Sequence, residues 1–291
     1  MVSTSTSSIA IVGAGSLGSA LGRLLREAGA PVTAIASRSL EHARCAAEFV
    51  GGVDAIAIEQ VPSVASHVLI SVSDAAIPDV AAQMRSAGFR GGVALHTSGS
   101  CGPEALDLLA AGNTATGAMH PLQTIPNPQQ GVEGLPGSYF AACGAEPAVA
   151  WAAGIIALLH GKTLHIPVER WALYHSAAVF ASNYMVTSLD AALEALEGAG
   201  IPRAEGLAAL APLSRAAISN ALALGPDAAL TGPIARGDAQ TVRRNREGLR
   251  AISQASQEAY RAMGLRTLPI AHRRRLPEPL LAELELALTE S

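Results

Sequence analysis

The first half of the chain alternates two hydrophobic rhythms. Short apolar runs of strand type fall at residues 9–12, 32–36, 67–72, 93–96, 116–120 and 138–142. Between them lie segments with apolar residues at helical spacing, such as 17–28 and 40–50. This alternation predicts a parallel sheet covered by helices on both faces. A last strand run, 162–166, is expected to close the sheet. The rhythm changes at Pro167. From 168 to 199 the pattern is almost continuously helical, and more helical segments follow the breakers "GIPRAEG" and "LTGPIARGD". The expected organisation is therefore an α/β domain over residues 1–166 and an all-helical domain over 167–291. The Pro-rich stretch "HPLQTIPNPQQGVEGLPG" (120–137) is expected to be a surface loop, too long for a simple turn.

The first strand run leads into "GAGSLG". Gly13, Gly15 and Gly18 form GxGxxG between a strand and a helix, with Ser16 and Leu17 inside the turn. The first glycine allows a tight turn, the second lets a pyrophosphate approach the backbone, and the third lets helix pack on strand. The anion then sits on the helix N-terminus. This context predicts a Rossmann dinucleotide-binding domain. The second strand run ends in Ser37, Arg38 and Ser39, where an NAD site usually carries an acid. Arg38 is suited to pair with a 2′-phosphate and the serines to donate to it, so NADP(H) is the expected cofactor.

Ligands of such sheets bind beyond the carboxyl ends of the strands. Those ends here are "SVSDAAIP", "HTSGSCGP" and "MHPLQT". Val72 is expected against the nicotinamide and Ser73 along the cofactor. Asp74 has two readings of equal weight, a residue where the cofactor's ribose passes or a helix cap. Ser98, Gly99 and Ser100 form a hydroxyl-rich turn that is a candidate to hold a substrate carboxylate, against an ordinary helix cap before Pro103. His120 either lines the site or is a loop histidine. In "ERWALYHSAAVFASNYMVTSLDAAL", a single helix would place Ser182 on the face of His175, with Asn183 reachable from the same pocket. Helix–helix hydrogen bonding is the alternative to a substrate site between the domains. Hydride reduction of C=O or C=N needs a nearby acid. The only lysine is Lys162, in a strand run, which leaves His175, His120 or water to supply the proton.

Composition narrows the classes further. The net charge is −4 and no block of like charge marks a nucleic-acid or membrane surface. The three cysteines, Cys45, Cys101 and Cys143, have no metal-site spacing and are expected to be reduced core thiols of a cytoplasmic protein. The N-terminal "MVSTSTSS" lacks the pattern of an export signal, and the apolar runs are shorter than a bilayer span. Arg243, Arg244 and Arg246 are expected on a solvated helix face.

"GAMHPLQT", "YHSAAVFASNY" and "LTGPIARGDAQTV" together resemble the Rossmann-like proteins with a DUF2520 C-terminal domain, in the 6-phosphogluconate dehydrogenase-like superfamily beside ketopantoate and pyrroline-5-carboxylate reductases. The resemblance covers nearly the whole chain. It implies an NADP-binding Rossmann domain, a helical domain that dimerises, and reductase activity. By motif match, the family's positions fall on His120, Pro121, His175, Asn183, Thr231, Gly232, Pro233, Arg236, Gly237 and Asp238. Asn245 stands where the resemblance leads one to expect a histidine. Arg236 is expected in a structural loop, with the grip of a substrate carboxylate as its alternative.

The expected protein is a homodimeric NADPH-dependent reductase of a small 2-oxo acid, converting 2-dehydropantoate to pantoate or a similar pair. His175 is the expected proton donor, and Ser98, Ser100 or Asn183 orients the substrate. The alternatives are a cyclic imine reductase of pyrroline-5-carboxylate type and a non-catalytic NADP(H)-binding sensor.

Overall fold

The computed structural model describes residues 7–290. Most of the N-terminal stretch considered as an export signal lies outside them. The strands are β1 (Ile9–Val12), β2 (Val32–Ala36), β3 (Asp54–Ile56), β4 (His67–Ile70), β5 (Val93–His96), β6 (Ala115–Pro121), β7 (Tyr139–Gly144) and β8 (Lys162–His165). They form one sheet in the order β3-β2-β1-β4-β5-β6-β7-β8.

Alternation along the strands builds two apolar layers. Ile9, Ile11, Leu69 and Leu95 face one cluster, while Ala10, Val12, Val68 and Ile70 face another. A strand sends successive side chains to opposite faces, so a sheet buried on both sides must be apolar throughout. Helices α1 (Ser16–Glu27), α2 (Leu40–Val50), α3 (Ile77–Ser86), α4 (Pro128–Gly134), α5 (Glu146–Leu158) and α6 (Trp171–Ala181) accompany the sheet.

Three expectations need correction here. The sheet is not parallel throughout, because β7 runs antiparallel to β6 and only then does β8 pair parallel to β7. The intervening segment returns the chain from the end of β6 without crossing the sheet, which antiparallel pairing permits. The stretch 120–137 is not simply a loop. It contains α4, which packs so closely on α1 that a Cβ on Gly131 would lie 2.6 Å from Ala20 Cβ. Cys45 is exposed, and only Cys143 of the three thiols is fully buried.

The chain divides into two compact units, Met1–Ser182 and Asn183–Ser291. The division falls after α6 rather than at Pro167, where the sheet ends. Trp171 on α6 is buried with Ala118, Ala141 and Cys143 of the sheet, which ties this helix to the first unit. At Ser182 the backbone leaves helical geometry (φ −127°, ψ −73°), so the continuous helix expected across this point is broken.

The second unit is helical: α7 (Asn183–Gly198), α8 (Arg203–Leu224), α9 (Ala239–Arg250), α10 (Gln254–Arg273) and α11 (Glu278–Thr289), with short turns of helix between α8 and α9. Its core gathers Ile234, Val242, Ala271, Leu284 and Leu288. Gly237 takes the left-handed conformation (φ 75°) that ends one short helix, and the Asp238 carboxylate caps α9 by accepting from the Thr241 backbone N–H at 3.0 Å. Arg243 pairs with Glu290, and Arg246 donates to the Ala287 and Glu290 carbonyls. These arginines therefore fasten α9 to the C-terminal helix instead of standing free in solvent. Among the described residues one helix, Arg203–Leu224, is long and apolar enough by length and composition to cross a membrane, contrary to the bilayer-span expectation.

Candidate active site

The glycine turn joins β1 to α1, and each glycine has a separate reason to be there. Gly13 has φ +124°, and a Cβ on it would lie 2.0 Å from the Ser71 carbonyl oxygen. A Cβ on Gly18 would lie 2.2 Å from the Gly13 carbonyl oxygen. Gly15, the helix N-cap, meets nothing within 4 Å and opens onto solvent-accessible space. Two glycines are thus demanded by packing and the third leaves a free approach to helix N–H groups, which have no side-chain cap.

Two clefts meet at this turn and share Gly15, Ser71 and Val72. One, of about 280 Å³, runs past Gly13, Ser37, Arg38, His42, Ile58 and Ser73. The other, of about 410 Å³, runs past Ser16, Leu17, Asp74, Ser98, His120 and His175. Gly18 supports the turn from within α1. Ser39 is occupied differently from the expectation: its Oγ accepts from the His42 backbone N–H at 3.3 Å and caps α2. Ser39→Ala is expected to lower stability by about 1 kcal/mol through loss of that cap. NADPH affinity should stay unchanged, checked by denaturant unfolding beside a cofactor titration.

The larger cleft gathers its polar groups from three strand ends. His96, fully buried at the end of β5, accepts from the Ser98 N–H at Nδ1 (3.2 Å) and so donates from Nε2 to the Gly102 carbonyl (2.9 Å). Burial first, against weaker pulls from the Gly102 carbonyl and nearby acids, keeps its pKa below the usual histidine value. This neutral imidazole pins both ends of the turn 98–102. Within that turn Ser98 Oγ accepts from the N–H groups of Ser100 and Cys101, each at 3.1 Å. Ser98 is thus committed to holding the turn, while also lining the cleft. Ser100 Oγ donates to the Asp74 carboxylate at 2.5 Å. No helix N–H is capped by Asp74, so the cap reading is not realised, and Asp74 lines the larger cleft. Partial burial pushes the Asp74 carboxyl up, but hydrogen bonds from Ser100 and Ser98 and the imidazoles of His175 and His96 outweigh it. The net effect holds the carboxyl below the usual aspartate value.

His120 ends β6 and meets Tyr174 of α6, with Nδ1 2.8 Å from the phenol oxygen. Burial, then the neighbouring His175, pushes His120 down to about 4, so its imidazole is neutral near pH 7. Burial raises Tyr174 to about 12, which keeps its hydroxyl protonated. The His175 ring centroid lies 6.0 Å from that of His120. Between the two sits Gly99: a Cβ there would be 2.7 Å from His120 Nε2 and 2.7 Å from His175 Nδ1. His175 Nδ1 is buried and has no hydrogen-bond partner among the described residues.

The helix break gives the other helix positions different fates. Ser176 Oγ donates to the Ala172 carbonyl at 2.8 Å, and Asn183 is an exposed residue opening α7 in the second unit. Tyr174 and His96 hold residues of the site from behind its lining, while Gly99 and His42 line the clefts themselves. The tyrosine adjoining His175 in "LYHS" was the available signal for the first of these.

A Rossmann-like family model matches residues 2–121, and a second model, the domain of unknown function DUF2520, matches residues 138–267. The chain thus carries a Rossmann-like region followed by a DUF2520 region. Protein TM1727 from Thermotoga maritima is 25% identical, over 92% of this chain and 100% of that one, with a TM-score of 0.72. BF3122 from Bacteroides fragilis, provisionally named an NADP oxidoreductase, is 23% identical over 88% of this chain and 96% of its own, also with a TM-score of 0.72. An imine reductase from Pseudomonas sp. is 18% identical over 97% of this chain and 99% of its own, with a TM-score of 0.62. No curated protein matches the chain in sequence. In the DUF2520 part, Arg236 is exposed and Asn245 donates to the Tyr260 hydroxyl at 3.1 Å. Among the described residues no group of three or more His, Cys, Asp or Glu is placed to hold a metal.

Proposed function

We propose that this Rossmann-like and DUF2520 protein is an NADPH-dependent oxidoreductase that reduces a C=O or C=N bond of a small molecule. The observation that carries the proposal is the pair of clefts meeting at the glycine turn, one ending at Arg38 and the other at two imidazoles. Arg38 and Ser37 suit the 2′-phosphate, Gly15 the pyrophosphate, and Val72 the nicotinamide face. Bound NADPH supplies the hydride. The chain's own task is to orient the acceptor and deliver a proton. His175 Nδ1 is free for that delivery. Tyr174 suits the positioning of His120, since its hydroxyl donating to Nδ1 places the imidazole proton on Nε2, the nitrogen beside Gly99.

NADP preference gives the direct check. Arg38→Ala is expected to weaken NADPH by about tenfold and leave NADH unchanged, since one charge-assisted contact is lost. Equal weakening of both cofactors would remove the 2′-phosphate role.

A small 2-oxo acid of the 2-dehydropantoate type suits the two imidazole proton donors. The imine reading is favoured by the charge of the cleft: Asp74 lines it, while the first unit contributes no lysine or arginine to its lining. The likenesses to BF3122 and to an imine reductase support the reductase class over the sensor reading. A second copy of the chain is proposed to cover the second unit's apolar surface. Leu213 and Leu222 of α8 are 65% and 83% exposed, and a groove of about 840 Å³ runs past Ala191, Ala195, Gly198, Gly248 and Tyr260. Burial of such a surface favours a homodimer over a cytoplasmic monomer.

A further inference from the structure

We infer that Asp74 is a counter-ion that makes this site select a cationic substrate, an iminium or protonated cyclic imine, over the anion of a 2-oxo acid. The inference rests on the reductase reading and names its substrate class. Asp74 stands in the cleft that holds His120 and His175, with its carboxylate fixed by the Ser100 hydroxyl. Ser100 is in turn placed by Ser98, and the whole turn by the buried His96. The carboxylate is therefore oriented rather than adrift in solvent. No arginine or lysine of the first unit lines the cleft, and the imidazoles of His175 and His96 are the groups whose charge favours the carboxylate. His120, the other imidazole lining the cleft, is neutral near pH 7.

Charge of one sign in a cleft raises the local concentration of ligands of the other sign and repels its own. A 2-oxo acid brings a carboxylate toward Asp74 with no arginine or lysine in this lining to grip it. An iminium brings the opposite charge. The chemistry balances without a further proton: hydride adds to the iminium carbon, the C=N π pair moves to nitrogen, and a neutral amine leaves with NADP⁺. Reduction of a carbonyl instead leaves an alkoxide that must take a proton from His175.

The experiment uses the full chain loaded with NADP⁺ and titrates it calorimetrically with pyrrolidinium chloride and with 2-dehydropantoate. Steady-state rates with NADPH, on 1-pyrroline and 2-dehydropantoate, run beside it. The wild type is expected to favour the pyrroline pair. Asp74→Asn should cut that preference by about tenfold, the scale expected for a partly exposed charge pair. Ser100→Ala, which keeps the carboxylate, should retain most of it. Equal losses on both ligands in Asp74→Asn would make the residue structural and overturn the inference. So would a wild type that prefers 2-dehydropantoate. Binding of neither ligand overturns it as well. Failure of the wild type to bind NADP⁺ is a different result, and overturns the reductase reading itself.

Discussion

His175→Ala is expected to lower turnover of an unprotonated C=O or C=N substrate by about 10²- to 10⁴-fold, the range for loss of a positioned acid. NADPH affinity should stay within about twofold, because the loss falls on an interaction made in the transition state. The reason lies in the accounting of buried polar atoms. A buried nitrogen without a partner is costly, and His175 Nδ1 is such an atom among the described residues. The atom faces Gly99 across from His120 Nε2, so the two imidazoles converge on one point of the cleft. Steady-state kinetics beside a fluorescence titration of NADPH measure both quantities. A cyclic imine that arrives already protonated should escape most of the loss, so the defect on an imine should grow as pH rises past the imine's own pKa. Unchanged turnover of every substrate class would take proton delivery away from His175.

Gly99→Ala is expected to produce a loss of about 10²-fold, the scale of a misplacement near 1 Å. Gly99 does not use the backbone region reserved for glycine, so alanine is tolerated by the main chain. The added methyl is what matters. It would stand 2.7 Å from His120 Cε1, His120 Nε2 and His175 Nδ1, closer than carbon atoms pack. At least one imidazole must move. Gly99 does not line the cleft that holds Gly13, Ser37 and Arg38, so NADPH binding should persist and the melting temperature should shift little. Activity equal to wild type would show that the two imidazoles do not act from the positions described.

Much of the first unit is legible in its sequence, because strands buried on both faces must be apolar and their ends need turn residues. The glycine turn is legible because its GxGxxG spacing falls between a strand run and a helical run, although the close contact of Gly13 with Ser71 is not. Strand direction is not encoded locally. The run 138–142 looks the same whether it pairs parallel or antiparallel, and only the path of the chain through α4 decides. Three-residue β3 is too short to show a period of two. The break at Ser182 is equally hidden, because Ser182 is neither Gly nor Pro and the apolar pattern continues across it.

The site divides along the same line. Gly13, Gly15, Arg38, His120 and His175 carry chemistry in their residue types, and the structure places them along the two joined clefts. Asp74 and Ser39 are ambiguous in sequence because Asp and Ser serve equally as caps. Hydrogen-bond partners separate them: Ser39 caps α2, whereas Asp74 accepts from the Ser100 hydroxyl of a neighbouring turn. The parts played by Tyr174 and Gly99 depend on contacts between residues distant in the chain, which no spacing rule conveys.

The most direct test follows NADPH by its absorbance while the purified protein is offered cyclic imines and 2-oxo acids, 1-pyrroline and 2-dehydropantoate among them. The account predicts oxidation of NADPH by a member of this panel, faster than oxidation of NADH, with the carbonyl or unprotonated imine rate lost in His175→Ala. Tight NADPH binding with no oxidation by any member would contradict it and point to a nucleotide-binding sensor.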